Sequence, residues 1–135
     1  MYRVTREIHF CYGHRLLNYD GKCRHLHGHN GKAVITLAAP ELDALGMVMD
    51  FSRIKQVMNA WIDQTLDHKM LLNKDDPVLP LLRQQGEPVY VMNVNPTAEN
   101  IARHIYDYAV GQGFPVLEVQ LWETESSFAT YTGKR

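Results

Sequence analysis

Two stretches of strict alternation constrain this chain more than anything else in it. Across residues 2–13, Val4, Ile8, Phe10 and Tyr12 share one parity, while Arg3, Thr5, Glu7 and His9 share the other. Across residues 27–38, Ala33, Ile35 and Leu37 share a parity with His27 and His29. Alternate side chains of an extended strand point to opposite faces, so each run predicts a strand with one buried face. Asn18, Asp20 and Gly21 lie between the runs and supply turn chemistry. The pair reads as a β-hairpin with a long loop.

The period then changes. Phe51, Ile54, Val57, Met58, Trp61, Ile62 and Leu66 follow helical spacing over residues 50–66, with Asp50 or Ser52 placed to cap the start. Residues 67–76 turn polar, and Pro77 and Pro80 read as breaks in regular structure. Thr97, after Pro96, opens a second helix; its apolar stripe runs through Ala98, Ile101, Ala102, Ile105, Tyr106 and Ala109 and ends at Gly111 and Gly113. Residues 115–123 and 127–132 read as two strands around a tight turn at Glu125 and Ser126, and 89–94 as a further short strand. The order ββααββ predicts an α+β fold with helices on one face of an antiparallel sheet. A length of 135 residues predicts one domain over 1–135.

The net charge of −1, with no basic face, argues against nucleic acid or an anionic membrane as partner. No apolar run approaches membrane-spanning length and the N-terminus lacks the form of a secretion signal, so a cytoplasmic protein is expected. In that compartment Cys11 and Cys23 are read as free thiols, metal ligands or catalytic groups rather than a disulfide.

Five of the seven histidines, His9, His14, His25, His27 and His29, fall in the first quarter of the chain. His27 and His29 are two apart on a strand and so converge on one face. His14 ends the first strand on its buried parity, which makes it the third ligand of a predicted metal site. Three neutral imidazoles with an open position describe a catalytic zinc site, and nitrogen ligands favour Zn²⁺ over magnesium or calcium. Two other arrangements fit the spacing. His25 shares the strand parity and can replace His27 or His29, and Cys23 can close a structural Cys–His₃ module. His9 has the opposite parity and reads as a surface residue.

Around this site stand further candidates. Cys23 precedes His27 by four residues, in the loop entering the site, where a dication and Lys22 or Arg24 would stabilise its thiolate. Asp67-His68 joins a carboxylate to an imidazole at the end of the first helix. Glu123 lies on the apolar parity of Leu117, Val119 and Leu121, where a carboxylate needs a partner or a ligand. Glu99 is a first-turn charge suited to the helix dipole.

At this point the residues resemble a known family. His14 … Cys23-x-x-x-His27-Gly28-His29, Gly46-Met47-Val48-Met49-Asp50-Phe51, Leu66-Asp67-His68, Asn95-Pro96-Thr97-x-Glu99-Asn100 and Glu123-Thr124 resemble, in this order, the 6-pyruvoyl tetrahydropterin synthase / 6-carboxytetrahydropterin synthase family. The resemblance implies the tunnelling fold: a four-stranded antiparallel sheet with two helices on one side, assembled into a homo-oligomeric barrel, trimer-based and expected to be a hexamer, with sites at subunit interfaces. It implies 7,8-dihydroneopterin triphosphate as substrate and His14, His27 and His29 as zinc ligands. It makes Cys23 the proton-abstracting base and Asp67 and His68 a relay pair reaching the site from a neighbouring subunit. Glu123 anchors the pterin, and Thr97 and Glu99 are carried over as substrate contacts. The three-residue gap between Cys23 and His27 resembles the bacterial carboxy-forming enzymes of 7-deazaguanine and queuosine synthesis more than the animal pyruvoyl-forming ones. One departure is Phe10-Cys11-Tyr12-Gly13-His14, where the family usually has Phe-Ser-Ala-Ser-His. The roles of Cys11, Tyr12 and His25 stay open.

Overall fold

The computed structural model describes residues 1–134. Strands β1 (Tyr2–His14) and β2 (His27–Ala39) form the long antiparallel hairpin, in register from Tyr2 opposite Ala39 to His14 opposite His27. Helix α1 covers residues 51–65. It is α-helical over Phe51–Ile54, widens to a π turn over Lys55–Asn59 and returns to α over Ala60–Thr65. Asp50 caps it by accepting from the Ser52 N–H at 2.8 Å. Then come β3 (Met70–Asn73), α2 (Leu79–Gln84), β4 (Val89–Met92), α3 (Ala98–Gly111), β5 (Val116–Trp122) and β6 (Phe128–Tyr131).

The class is α+β as the alternation and helical periods imply, but the four-stranded sheet and the order ββααββ need correction. The sheet has six strands in the order β4-β3-β1-β2-β5-β6. β3 and β4 add a short parallel edge beside the end of β1, with Gly13 opposite Met70 and Leu71 opposite Tyr90. The polar stretch 67–76 hides β3 because only Met70, Leu71 and Leu72 are apolar in it. α2 escapes the sequence reading because Pro80 looks like a breaker. It sits in the first turn, where a missing N–H leaves no helical hydrogen bond unmade.

One sheet face is covered and the other is open. Ile8, Phe10 and Tyr12 of β1, Ala33, Ile35 and Leu37 of β2 and Val119 and Leu121 of β5 pack against Ile54, Met58 and Ile62 of α1 and Ile101, Ala102 and Ile105 of α3. The even positions of β1 are therefore the buried ones, and His14 is the last of them, 2% exposed. Among the described residues, the outer edge of β1 over residues 2–10 and the outer edge of β6 carry no paired strand.

Candidate functional site

The hairpin register builds the histidine cluster. His14 and His27 face each other across the β1–β2 ladder, and His29 stands one step on, opposite Tyr12. Directly opposed residues bring their Cβ atoms to about 5 Å and diagonal ones remain within reach of long side chains. The ring centroids accordingly lie 4.5 Å (His14–His27), 5.0 Å (His14–His29) and 5.1 Å (His27–His29) apart. One ligating nitrogen from each falls within 4.8 Å of the others.

Backbone carbonyls orient two of these rings. The Nδ1 of His14 donates to the Pro96 carbonyl at 2.6 Å, and the Nδ1 of His27 donates to the His25 carbonyl at 2.7 Å. A carbonyl only accepts, so Nδ1 carries the proton and Nε2 keeps its lone pair in each neutral ring. Pro96 is itself fixed through its neighbour. Asn95 accepts from the Leu17 N–H at 3.0 Å and donates to the Leu17 carbonyl at 2.9 Å, which ties the segment before α3 to the chain leaving β1. Arg15, next to His14, pairs with both carboxylate oxygens of the buried Asp76.

The chemistry of these donors fits a cation. The Nε2 of His14 faces the Nε2 of His29 at 3.1 Å, and Glu123 Oε2 stands 3.3 Å from both. The Nε2 of His14 can only accept here, so either an Nε2–H of His29 or a cation among the three atoms relieves the crowding of lone pairs. Burial, the foremost influence on both, lowers the proton affinity of His14 and His29, so a metal ion suits the position better than a proton.

Tyr12 is the residue at this site that sequence reasoning left without a role. Its ring lies 5.2 Å from that of His14 and 5.6 Å from that of His29, and its hydroxyl donates to Glu123 Oε2 at 3.5 Å. Burial, reinforced by the neighbouring carboxylate, holds the phenol proton in place far above the ordinary range. The ring can lie there because Gly31 leaves space beneath it. A Cβ at Gly31 would come within 2.8 Å of Tyr12 Cε1. The signal available in the sequence was Tyr12 sharing the parity of His14.

The other candidates are distributed as follows. Cys23 lies in a 3₁₀ turn, Lys22–Arg24, whose carbonyl at Cys23 accepts from the Leu16 N–H at 2.8 Å. Its sulfur is not part of the histidine cluster, and neither is His25. His9 is exposed, as its parity implies. Thr97 caps α3 by accepting from the Asn100 N–H at 3.1 Å, and Glu99 is an exposed first-turn acid of the same helix. Asp67 and His68 do not join the triad in the described residues. They run along the β1 edge beside Cys11, where His68 Nδ1 donates to Asp67 Oδ2 at 2.8 Å and His68 Nε2 lies 3.4 Å from Cys11 Sγ. A cleft of about 840 Å³ opens here, lined by Cys11 and His68 and also by His27 and His29.

Fold and site together define an α+β protein whose hairpin presents a three-imidazole cluster beside a carboxylate. Residues 3–134 match the family model described as 6-pyruvoyl tetrahydropterin synthase, and the chain belongs to that family. The resemblance read from the motifs is thus borne out. The chain is 42% identical to a 6-carboxy-5,6,7,8-tetrahydropterin synthase of Rickettsia felis, over 95% of this chain and 98% of that one. It is 33% identical to the human 6-pyruvoyl tetrahydrobiopterin synthase, over 98% of this chain and 92% of that one. In structure it resembles an uncharacterized protein of Wolinella succinogenes, with a TM-score of 0.82, 28% identity and 98% coverage of both chains. The 6-pyruvoyl tetrahydropterin synthase of Caenorhabditis elegans shares the fold at a TM-score of 0.72 and 23% identity, over 98% of this chain and 96% of that one. The tunnelling fold expected from the sequence is the fold of this protein, its four expected strands extended by β4, within the short strand read over 89–94, and by β3, which was not read.

Proposed function

We propose that the protein is a zinc-dependent lyase that converts 7,8-dihydroneopterin triphosphate to 6-carboxy-5,6,7,8-tetrahydropterin, releasing acetaldehyde and triphosphate, within 7-deazaguanine and queuosine synthesis. The observation that carries this reading is the convergence of His14, His27 and His29 beside Glu123, in a chain 42% identical to a relative named for the carboxy product. His14, His27 and His29 are the proposed zinc ligands, and three nitrogen donors with Cys23 standing apart suit an open, catalytic position. Bound there, zinc supplies Lewis acidity that polarises substrate oxygens and acidifies the adjacent carbon.

The chain's own groups do the rest. Cys23, as thiolate, takes the proton from the acidified side-chain carbon. His68, held by Asp67, moves protons to and from the side-chain oxygens. The Glu123 carboxylate grips the pterin edge through paired hydrogen bonds and fixes the ring so that Cys23 meets one carbon only. Thr97 and Glu99 contribute at the rim, the former only with what its capping oxygen has left.

The open edges support an assembly of copies. An unpaired strand edge is a template for another strand, and among the described residues β6 leaves one along its length and β1 leaves one over residues 2–10. Pairing them between copies closes a barrel, with a trimer as the unit and a hexamer as the full particle. His68, its side chain 76% exposed and turned to the β1 edge, is then free to serve a neighbour's site. No helix among the described residues is long and apolar enough to cross a membrane, and we place the enzyme in the cytoplasm.

The decisive experiment incubates the zinc-loaded protein with 7,8-dihydroneopterin triphosphate and identifies the products. Acetaldehyde and the 6-carboxy pterin are expected. A 6-pyruvoyl pterin without acetaldehyde would move the protein to the tetrahydrobiopterin branch. No conversion by protein carrying zinc would leave a structural zinc module. Cys23→Ala is expected to retain zinc while turnover falls by about 10²–10⁴.

A further inference from the structure

We propose that Glu123 is the fourth ligand of the metal site in the substrate-free protein and gives up that place when a pterin ring takes its carboxylate. The proposal rests on the reading of Glu123 as the pterin anchor and gives the same carboxylate a second, earlier role.

The distances carry it. Zinc holds nitrogen and oxygen ligands at about 2.0–2.1 Å, so the donor atoms of a tetrahedral set stand about 3.3 Å apart. Glu123 Oε2 lies 3.3 Å from both His14 Nε2 and His29 Nε2, and those two nitrogens lie 3.1 Å apart. These separations match the edges of one face of such a tetrahedron. His27 supplies the remaining corner, its ring 4.5 Å from that of His14 and 5.1 Å from that of His29.

Hydrogen bonding does not account for the same arrangement. The proton of neutral His14 is on Nδ1, donated to the Pro96 carbonyl, so its Nε2 and Glu123 Oε2 are two acceptors facing each other. An Nε2–H on His29 leaves those two acceptors opposed. A hydrogen bond from a charged N–H to a carboxylate is also shorter, about 2.7–2.9 Å. Among the described residues no lysine or arginine pairs with Glu123. A cation shared with the imidazoles is what matches its charge.

Glu123 is also built to let go. It follows the last residue of β5, and its N–H donates to the Ser127 carbonyl at 3.0 Å across the turn to β6. The backbone is thus pinned, while the side chain, 27% exposed, has room to change rotamer. A carboxylate that grips a pterin edge turns both oxygens toward the N–H donors of the ring, which draws Oε2 out of the histidine cluster. The exchange moves no proton and no electron. The N–H groups of the ring replace the ion as partners of the same anion. The fourth position is therefore open only while a ring is seated.

The test uses the full-length protein loaded with Co²⁺, whose visible bands report its ligands, and thiocyanate, an anion that takes an open position on cobalt. A position closed about nine-tenths of the time weakens any outside ligand about tenfold. Without pterin, Glu123→Gln should therefore respond at about tenfold lower thiocyanate than the wild type. The pterin probe is 6-methylpterin, which presents the ring edge but carries no side-chain oxygen to take the position itself. At saturation, followed by its fluorescence, it should bring the wild type to the sensitivity of Glu123→Gln. The proposal is overturned if the pterin-free wild type responds at the same thiocyanate concentration as Glu123→Gln, or if bound 6-methylpterin leaves the wild type unchanged. If Glu123→Gln does not hold cobalt, the wild type with and without 6-methylpterin decides alone. A chain that takes up no 6-methylpterin overturns the exchange together with the anchoring role, whereas formation of a 6-pyruvoyl product would change the branch of the reaction and leave the exchange standing.

Discussion

The two polar clusters flanking β1 differ in how they are assembled. The histidine triad lies on the helix-covered face and comes almost wholly from one hairpin, whose register from Tyr2–Ala39 to His14–His27 leaves the side chains no choice of face. His14 is 2% exposed and its ring is fixed by a carbonyl at 2.6 Å. The cluster of Cys11, Asp67 and His68 joins a strand to the loop after α1, separated by more than fifty residues in sequence, and its His68 side chain is 76% exposed. A strand register is set by the hydrophobic pattern of the whole sheet, whereas a docked loop is held by a few hydrogen bonds. The first cluster is therefore rigidly placed and the second adjustable.

Three variants sharpen this contrast. The largest effect is expected at the triad. His14→Ala removes one of the three proposed zinc ligands, and since a tetrahedral zinc site gathers about 10–16 kcal/mol over its donors, the expected loss is about 3–4 kcal/mol, or several hundredfold in affinity. Competition with a chromogenic chelator measures it, and a change of less than tenfold would remove His14 from the ligand set. Next comes the anchor beside it. Arg15→Ala leaves the Asp76 carboxylate buried without its partner and should destabilise the fold by about 3 kcal/mol in urea titrations.

The smallest effect belongs to the loop cluster. The folded pKa of Asp67 lies below its ordinary value of 3.8. Its contribution is therefore fully present above that value and is lost as pH falls through the folded pKa. Asp67→Asn should cost about 1 kcal/mol at neutral pH, with the gap to wild type closing in acid. Urea titrations at pH 7 and pH 3 test the sign. A gap that widens in acid would contradict the assigned hydrogen bonds.

The parts of this molecule that the sequence disclosed are those with a long period behind them. Thirteen-residue strands and a fourteen-residue helix repeat their pattern often enough to read, and the parity of His14, His27 and His29 followed from the strands that carry them. The four-residue strand Met70–Asn73 repeats its pattern too few times, and its parallel pairing leaves no alternation to find, whereas Val89–Met92 falls within the short strand read over 89–94. Likewise, the carbonyls of Pro96 and His25 that orient the rings belong to the backbone, which has no letter of its own in the sequence. Pro96 was visible only as part of a motif, and its contact with His14 bridges 82 positions. The meeting of Cys11 with His68 was hidden for the same reason, since it depends on where a loop docks.

The packing of Tyr12 over Gly31 restricts the routes by which this site changes across generations. A side chain at position 31 collides with the phenol ring, and a displaced ring takes with it the hydroxyl that meets Glu123. A larger residue at position 31 is therefore expected to cost least where position 12 is already small, which couples the two positions across the hairpin.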